Sequence, residues 1–276
     1  MVVVATMVAV AAMVVEDYRT PPVTAGDITN KRMLGGEERE TMVSLFLLCQ
    51  HVREALLLQG QCLKRMAITP LDQTTFQNAY SGEAPAWEIP TPQKALVAVA
   101  DQIHGTLLDS GCGTGENALF FAARGCTVTG YDFVPDAIQR AASKAQERGI
   151  AATFLVKDGL TLGDWDEQFD NIIDSGVFHV FSDEDAARYV MGLAHVLKPG
   201  GRLFLICFSD AEPGLQGPRR ISKQMLHDRF QEGWTVESVT PSNYNVRPEY
   251  DGSRYSAGGP KAWFAIIRKK SFESKP

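Results

Sequence analysis

The sequence has no arrangement of cysteines or histidines with the spacing of a metal site. The five cysteines form no Cys-x-x-Cys pair, and the five histidines are scattered without paired ligand spacing. We therefore expect no bound metal and no metal-dependent mechanism. Because two of the cysteines lie in or beside predicted buried strands, we expect reduced thiols. These residues are Cys49, Cys62, Cys112, Cys126 and Cys207, with His51, His104, His179, His195 and His227.

Long apolar runs and an excess of positive charge are also missing. The apolar stretch over residues 1–15 is shorter than the roughly 20 residues that a membrane helix needs. It lacks the positive residues that begin a secretory signal, although Ala9-Val10-Ala11 imitates a cleavage site. With a formal net charge of -6, the chain has no basic surplus for nucleic acid. We expect a cytoplasmic protein with neither a membrane nor a nucleic-acid partner.

What the chain does contain is an ordinary globular balance, with 45% hydrophobic and 22% charged residues over 276 positions. We assign residues 1–65 to an amino-terminal extension made of the apolar run, a turn-rich linker and a helix over Glu38 to Met66. That helix packs on the main domain, pairs with a second copy in a homodimer, or is disordered when isolated. Met66 is an alternative biological start. Residues 66–276 form the main domain.

Apolar strands alternate with amphipathic helices after residue 92. This pattern predicts a doubly wound, Rossmann-like α/β sheet of seven strands with an antiparallel terminal pair. A polar, Gly-rich connection over residues 241–260 is expected to join that pair as a hairpin loop. Predicted helices cover 92–101, 116–124, 135–148, 183–197 and 222–230, and predicted strands begin at Leu107 and then cover 127–132, 152–157, 171–174, 202–208, 235–239 and 262–268.

A glycine-rich turn follows the first predicted strand. The run Asp109-Ser110-Gly111-Cys112-Gly113-Thr114-Gly115 has a glycine at every second position, so the backbone can bend sharply and approach a ligand. A dinucleotide fingerprint wants a third small residue where this chain has Glu116, and Gly115 comes one residue early. An NAD-dependent oxidoreductase is therefore the less favoured alternative.

Acidic residues end the next three strands as well. Asp132, followed by Phe133, comes 17 residues after the last glycine of the turn. An acid at about this spacing accepts from ribose hydroxyls, and the alternative is a cap for the helix that starts at Pro135. Asp158-Gly159 follows the third strand, and Asp174-Ser175 ends the fourth. In a doubly wound sheet these ends meet in one crevice.

Together with Leu197-Lys198-Pro199-Gly200-Gly201, these motifs resemble the motif series of class I S-adenosyl-L-methionine (SAM)-dependent methyltransferases over Leu71 to Lys270. More narrowly, Ala86 to Pro90, Gly113 to Leu119 and Ile173 to Phe181 look like the small actinobacterial methyltransferases that act on heterocyclic toxins and hydroxyquinolones. Those enzymes are related to thiopurine methyltransferases. The resemblance implies SAM as the cofactor.

The resemblance also implies roles for individual residues. Gly111 and Gly113 would contact the methionine part, Asp132 the ribose, and Phe133 the adenine. Asp158 would accept from the adenine amino group, and Asp174 with Ser175 would form the floor of the site. The expected cofactor-binding set is Trp87, Asp109, Gly111, Gly113, Gly115, Asp132, Phe133, Asp158, Gly159, Asp174 and Ser175.

Candidate residues for the acceptor are more dispersed. His179 is the candidate general base, because histidine titrates near neutral pH, and Asp174 is the second candidate. The alternative is that His179 only caps or packs, and an acidic acceptor needs no base. Arg219-Arg220 is expected to hold an anionic or carbonyl oxygen, or else to be a solvated pair. The expected substrate-binding set is Tyr80, Phe178, Arg219 and Arg220, with Trp87 and Tyr244 as further aromatic candidates.

The predicted function is SAM-dependent methyl transfer to a hydroxyl, or a ring nitrogen, of a small aromatic or heterocyclic acceptor. The first alternative is a thiol or thiopurine S-methyltransferase. The second is a non-catalytic SAM-binding scaffold that uses the amino-terminal helix for partners. The aromatic, Pro-rich segment over residues 71–92 is expected to act as a packed arm or a lid.

Overall fold

The structure is a computed structural model that describes residues 73–81, 84–214 and 216–271. The predicted extension over residues 1–65, with its helix over Glu38 to Met66, lies outside these residues. The described part holds one seven-stranded sheet in the order β3-β2-β1-β4-β5-β7-β6. The strands are β1 Thr106–Ser110, β2 Thr127–Asp132, β3 Thr153–Val156, β4 Phe169–Ser175, β5 Leu197–Phe208, β6 Trp234–Asn243 and β7 Lys261–Lys269.

The predicted doubly wound sheet is confirmed. Strands β1 to β5 pair with one another in parallel, whereas β7 runs antiparallel to both β5 and β6. The α-helices in the described part are α1 Gln73–Ser81, α2 Lys94–Val97, α3 Glu116–Ala123, α4 Pro135–Arg148, α5 Asp183–Val196 and α6 Lys223–Arg229. Short 3-10 turns cover Ala100–Gln102, Gly159–Asp164, Phe178–Val180 and Pro248–Tyr250.

Local sequence signals explain several helix ends. Helix α4 begins with Pro135, whose fixed φ suits the first turn, and ends at Gly149 with a φ of 64°. Helix α5 is capped by Ser182, whose hydroxyl accepts from the N–H of Asp185 at 3.1 Å. Ser222 accepts in the same way from the N–H of Met225 and so caps α6.

Three predicted boundaries are wrong, and one of them is the end of β6, which lies at Asn243 instead of residue 239. The predicted helix over residues 92–101 is a four-residue helix followed by one 3-10 turn, because Val99 leaves helical geometry with a φ of -114°. Strand β5 begins at Leu197 rather than residue 202, because Leu197 is fully buried and pairs with Phe169 of β4. The motif Lys198-Pro199-Gly200-Gly201 is therefore part of a strand.

The sheet has a buried cluster on each face. Neighbouring residues of one strand enter opposite clusters, as Leu107 and Leu108 do in β1 and Ile172 and Ile173 do in β4. Helix α5 covers one face, and Phe121 of α3 packs on the other. Burial on both faces explains why the parallel strands read as continuous apolar runs.

Three of the five cysteines lie in the described part of the chain. Cys112, Cys126 and Cys207 are buried free thiols there. In the same part of the chain, no helix has both the length and the apolar character needed to cross a membrane. The described residues also contain no group of three or more candidate metal ligands.

A buried hydrogen-bond network links three strand ends to α5. The Ser110 hydroxyl lies within hydrogen-bond distance of the hydroxyls of Tyr131 and Tyr189. The Tyr189 hydroxyl donates to the Asp174 carboxylate at 2.9 Å. Because all four side chains are buried, the hydroxyls of Ser110, Tyr131 and Tyr189 find their partners within this network.

Replacing Tyr189 with Phe removes the hydroxyl that joins Ser110 to Asp174. We expect the free energy of unfolding to fall by about 1.5–3 kcal/mol, because a bond to a charged group is lost and its acceptor stays buried. Urea unfolding measures the change. The control Met191→Leu, on the exposed side of the same helix, should stay within about 0.5 kcal/mol of the wild type. Equal midpoints for both variants would contradict a stabilising network.

Candidate functional site

A cavity of about 790 Å³ lies at the carboxyl ends of the parallel strands. Its lining comes from the residues that follow β1, β2, β3, β4 and β5. Strands β1 and β4 are neighbours in the sheet although they are not consecutive in the chain, so the strand order reverses between them. Such a reversal opens a crevice between the connections that leave the two strands, and ligands of doubly wound sheets bind there.

The glycine turn after β1 lines this cavity, and its glycines present backbone atoms without side chains. Gly111, Gly113 and Gly115 all have left-handed φ values, of 60°, 53° and 85°. A Cβ on Gly113 would lie 3.1 Å from the Tyr80 hydroxyl, so a side chain there would narrow the cavity. A Cβ on Gly111 would lie 2.1 Å from Cγ2 of Val177. The turn therefore needs glycine both for its conformation and for the space it leaves.

Two acids stand at the ends of β2 and β3, and both line the cavity. The Asp132 carboxylate accepts from the N–H of Gly113 at 3.0 Å and from the N–H of Val134 at 2.9 Å. Neither N–H belongs to the first turn of α4, so Asp132 does not cap that helix, and each of its oxygens keeps a free lone pair. Burial raises the pKa of Asp132 despite these bonds. Asp158 is exposed and accepts from the N–H of Leu160 at 2.9 Å.

Aromatic side chains cover this end of the cavity. Trp87 donates from Nε1 to the Tyr80 hydroxyl at 3.1 Å, and both line the cavity. The Phe76 ring meets the rings of Phe133 and Trp87 at centroid distances of 5.5 and 5.9 Å. Bare glycine backbone, two carboxylates with free lone pairs and this aromatic cover fit the methionine, hydroxyl and adenine parts of SAM. We call this region, with Gly159 and Ser175 also in its lining, the cofactor end.

Another part of the cavity is lined by a chain of rings. His179 lies 5.2 Å from Phe208 and 5.9 Å from Tyr244, and Phe208 lies 5.3 Å from Tyr244 and 5.7 Å from Tyr255, measured between ring centroids. We call these four residues the aromatic chamber. Edge-to-face and tilted packing of this kind fixes the ring positions and favours a flat apolar guest. Arg254 lines the cavity beside the chamber, over Tyr255.

His179 lines the cavity but is not placed to act as a base. Its Nδ1 accepts from the backbone N–H of Phe208 at 2.9 Å, so that lone pair is occupied. The proton of a neutral ring then sits on Nε2, which cannot accept another. Burial, aided by the charges of Arg220 and Arg219, lowers the pKa of His179 to about 3. The assignment of His179 as general base is therefore wrong.

Asp174 is also wrong as a base, and it does not line the cavity. It is fully buried, and its carboxylate accepts from the N–H groups of Gly176 and Val177 at 3.1 and 2.8 Å and of Phe178 at 3.1 Å. Burial outweighs these bonds and raises its pKa to about 6. Asp174 instead fixes the turn after β4, of which Ser175, Gly176 and Val177 line the cavity.

Two more expected contacts lie in the core. Phe178 is 1% exposed, packs against Phe230 and does not line the cavity. Asp109 is also 1% exposed and lies outside the lining. Burial raises the pKa of Asp109 well above its usual range. Neither residue is in place to touch a ligand.

The basic pair lies outside the cavity lining as well. Arg219 donates to Asp183 at 2.8 Å. Arg220 stacks its guanidinium over Phe208 at 5.2 Å and donates to several backbone carbonyls of the preceding loop. Those carbonyls belong to Glu212, Pro213, Gly214, Gln216 and Pro218. Because Gly217 and Pro218 line the cavity, Arg220 acts as a brace for the loop beside the chamber.

Two of the four residues of the aromatic chamber, Phe208 and Tyr255, were not predicted from the sequence, whereas His179 and Tyr244 were. Phe208 ends β5, and the rule that strand ends meet in the crevice would have found it. Tyr250, Arg254 and Tyr255 belong to the connection between β6 and β7, which was expected to be only a hairpin loop. The sequence feature that could have indicated this role is the number of aromatic residues in an otherwise polar, Gly-rich segment.

The chain resembles known proteins in sequence and structure. The family described as "Methyltransferase domain" matches residues 107–201. The 2-heptyl-1-hydroxyquinolin-4(1H)-one methyltransferase of Mycobacteroides abscessus is 34% identical over 211 residues, which are 72% of this chain and 91% of that protein. A solved structure described as "Conversion of a Disulfide Bond into a Thioacetal Group during Echinomycin Biosynthesis" is 35% identical, with a TM-score of 0.65, over 74% of this chain and 95% of that one.

A more distant structure shares the fold alone. The N-methyltransferase NodS from Bradyrhizobium japonicum, solved in complex with S-adenosyl-L-homocysteine (SAH), is 19% identical with a TM-score of 0.51. The match covers 76% of this chain and 97% of NodS. The same sheet therefore occurs in a protein that binds the demethylated form of SAM.

Gly111 and Gly149 both have a left-handed φ, so alanine variants of the two can be compared to test the packing of the glycine turn. Gly149→Ala should lower the free energy of unfolding by about 1 kcal/mol, because its φ is 64° but a Cβ meets nothing within 4 Å. Gly111→Ala adds the clash with Val177 and should cost about 2–4 kcal/mol. Urea unfolding separates the two costs. Equal losses would show that Val177 does not pack on the turn as described.

Proposed function

This chain belongs to the class I SAM-dependent methyltransferases, and on that premise we propose that it methylates a hydroxyl of a small aromatic or heterocyclic molecule. Its cofactor is SAM. The choice of an aromatic acceptor rests on one observation. The aromatic chamber and the cofactor end line the same cavity. Rings on several sides suit a flat acceptor, and the cavity volume leaves room for both molecules.

We assign the cofactor end as follows. The backbone of Gly111 and Gly113 approaches the methionine part, the Asp132 carboxylate accepts from ribose hydroxyls, and Asp158 accepts from the adenine amino group. Trp87 and Tyr80 close over this end through their shared hydrogen bond. Bound SAM supplies a methyl carbon that is already activated by its positive sulfur. What the protein adds is alignment, which can be worth about 7–11 kcal/mol for well-oriented reactants.

Two observations support an oxygen acceptor over a sulfur one. The polar groups that line the acceptor end include the N–H of His179 and the guanidinium of Arg254, both hydrogen-bond donors suited to oxygen. The similar protein from Mycobacteroides abscessus is named for a hydroxyquinolone. S-methylation remains the second candidate, because the chain is also similar to a structure described by the conversion of a disulfide bond into a thioacetal.

Calorimetric titration with SAH tests the cofactor end. Folded wild-type protein should bind SAH, and Asp132→Asn should weaken binding about tenfold or more, because one hydrogen bond from a ribose hydroxyl to a charged acceptor is lost. The control Asp136→Asn changes an exposed acid that does not line the cavity and should leave affinity unchanged. If folded wild-type protein does not bind SAH, the proposed function is contradicted.

A panel of acceptors tests the chemistry. With SAM present, we expect hydroxyquinolones to yield O-methylated products, detected by mass spectrometry. Thiols of similar size should react at least about tenfold more slowly, since the donors of the chamber discriminate by hydrogen bonding. The reverse order would favour S-methylation. Binding of SAM without turnover of any acceptor would favour a non-catalytic scaffold.

A further inference from the structure

We propose that the Nε2–H of His179 donates a hydrogen bond to an oxygen of the acceptor, and that the acceptor binds already ionised. This inference rests on the proposed function and narrows its substrate class to acidic hydroxyls on flat rings. It gives His179 a role opposite to that of a general base, since the ring delivers a hydrogen bond and accepts no proton.

The first step is the orientation of the ring. The Phe208 backbone N–H is buried and donates to Nδ1 of His179 at 2.9 Å. A flipped or Nδ1-protonated ring would leave that buried N–H without a partner, which is unfavourable. Contacts with the Phe208 and Tyr244 rings hold the imidazole plane from two directions. The neutral ring is therefore fixed with its proton on Nε2.

The second step is the direction in which Nε2 faces. A Cβ on Gly176 would lie 3.3 Å from Nε2 of His179 and 3.4 Å from the Tyr244 hydroxyl. Gly176, His179 and Tyr244 all line the cavity, so the missing side chain leaves Nε2 an opening into it. His179 is only 5% exposed. In the part of the chain that the structure describes, no atom accepts from Nε2, so the donor is left for a ligand.

The third step is the charge around the ring. Burial and the guanidiniums of Arg220 and Arg219 disfavour the imidazolium and lower the pKa of His179 to about 3. The Tyr244 hydroxyl packs beside the ring, donates to the Ile206 carbonyl and stays neutral because burial raises its pKa. Arg254 is the one cation in the lining formed by described residues, which also contains five carboxylates, those of Glu88, Glu116, Asp132, Asp158 and Asp185. Beside the ring, Arg254 and the Nε2–H favour a negative oxygen, and burial leaves the imidazole neutral near neutral pH.

The acceptor hydroxyl therefore loses its proton before methyl transfer. The acceptor hydroxyl gives its proton to water, and the resulting anion binds in the chamber. Its oxygen forms the new C–O bond as the C–S bond of the sulfonium breaks, and the electron pair of that bond stays on sulfur. Anion and sulfonium thus become a neutral ether and SAH. Acceptors whose hydroxyl is ionised near neutral pH should be favoured over ordinary phenols.

The variant His179→Asn tests the donor. The Asn oxygen can still accept from the Phe208 N–H, but nothing replaces Nε2–H in the chamber. We expect kcat/KM for an ionised acceptor to fall about tenfold to a hundredfold, with SAH affinity unchanged. The control His195→Asn changes a histidine that contacts the Trp165 carbonyl and does not line the cavity, and it should retain wild-type turnover.

The pH profile of the wild type gives a second readout. With acceptors of different acidity, the midpoint of kcat/KM should move with the pKa of each acceptor. A midpoint that stays fixed across the series would point to an enzyme base and overturn the inference.

Nitrogen NMR of labelled wild-type protein in its SAH complex gives a third readout that needs no turnover. His179 should stay neutral and protonated at Nε2 from about pH 5 to about pH 9. Protonation at Nδ1, titration within that range, or full activity of folded His179→Asn would overturn the inference and leave the proposed function standing. If the wild type methylates no hydroxyl, the proposed function fails, and the inference fails with it.

Discussion

Both ends of the cavity depend on the hydrogen bonds that the Asp174 carboxylate accepts from the turn after β4. These bonds fix Gly176 and Val177 at the point where the strand order reverses. Val177 then packs against Gly111 of the cofactor end, and Gly176 leaves the opening that His179 faces. Through Tyr189, the same carboxylate is tied to Ser110 at the end of β1. One buried acid thus sets the spacing between the cofactor end and the aromatic chamber.

The sequence predicted the features that depend on local physics. Buried parallel strands read as apolar runs, and caps such as Ser182 and Gly149 lie within one turn of the backbone groups that they satisfy. The glycine turn, Asp132 and Asp158 were found because strand ends share one edge of the sheet. These residues line the cavity as expected.

What the sequence could not predict depends on distant contacts. Phe178 and His179 are neighbours, yet one enters the core and the other faces the cavity, because the 3-10 turn after β4 separates their directions. The state of His179 depends on an N–H that lies 29 residues later in the chain. Arg220 was expected to bind a ligand. It donates instead to five backbone carbonyls of the preceding loop, and these come together only when that loop has folded.

Under the proposed function, the cofactor and the acceptor contact different parts of the cavity lining. The cofactor end includes strand ends and the glycine turn, which belong to the sheet and its direct connections. Irregular connections carry much of the lining around the aromatic chamber, including Gly217, Tyr244 and Tyr255. Such connections can change without disturbing the sheet, so they are the natural place for substrate specificity.

The most direct test of this account is a crystal structure of the full chain with SAH and a hydroxyquinolone. We expect SAH along the glycine turn and Asp132, the acceptor ring among the four residues of the aromatic chamber, and an acceptor oxygen within hydrogen-bond distance of His179 Nε2. An acceptor bound outside the chamber, or an oxygen held by Asp174 instead, would contradict it.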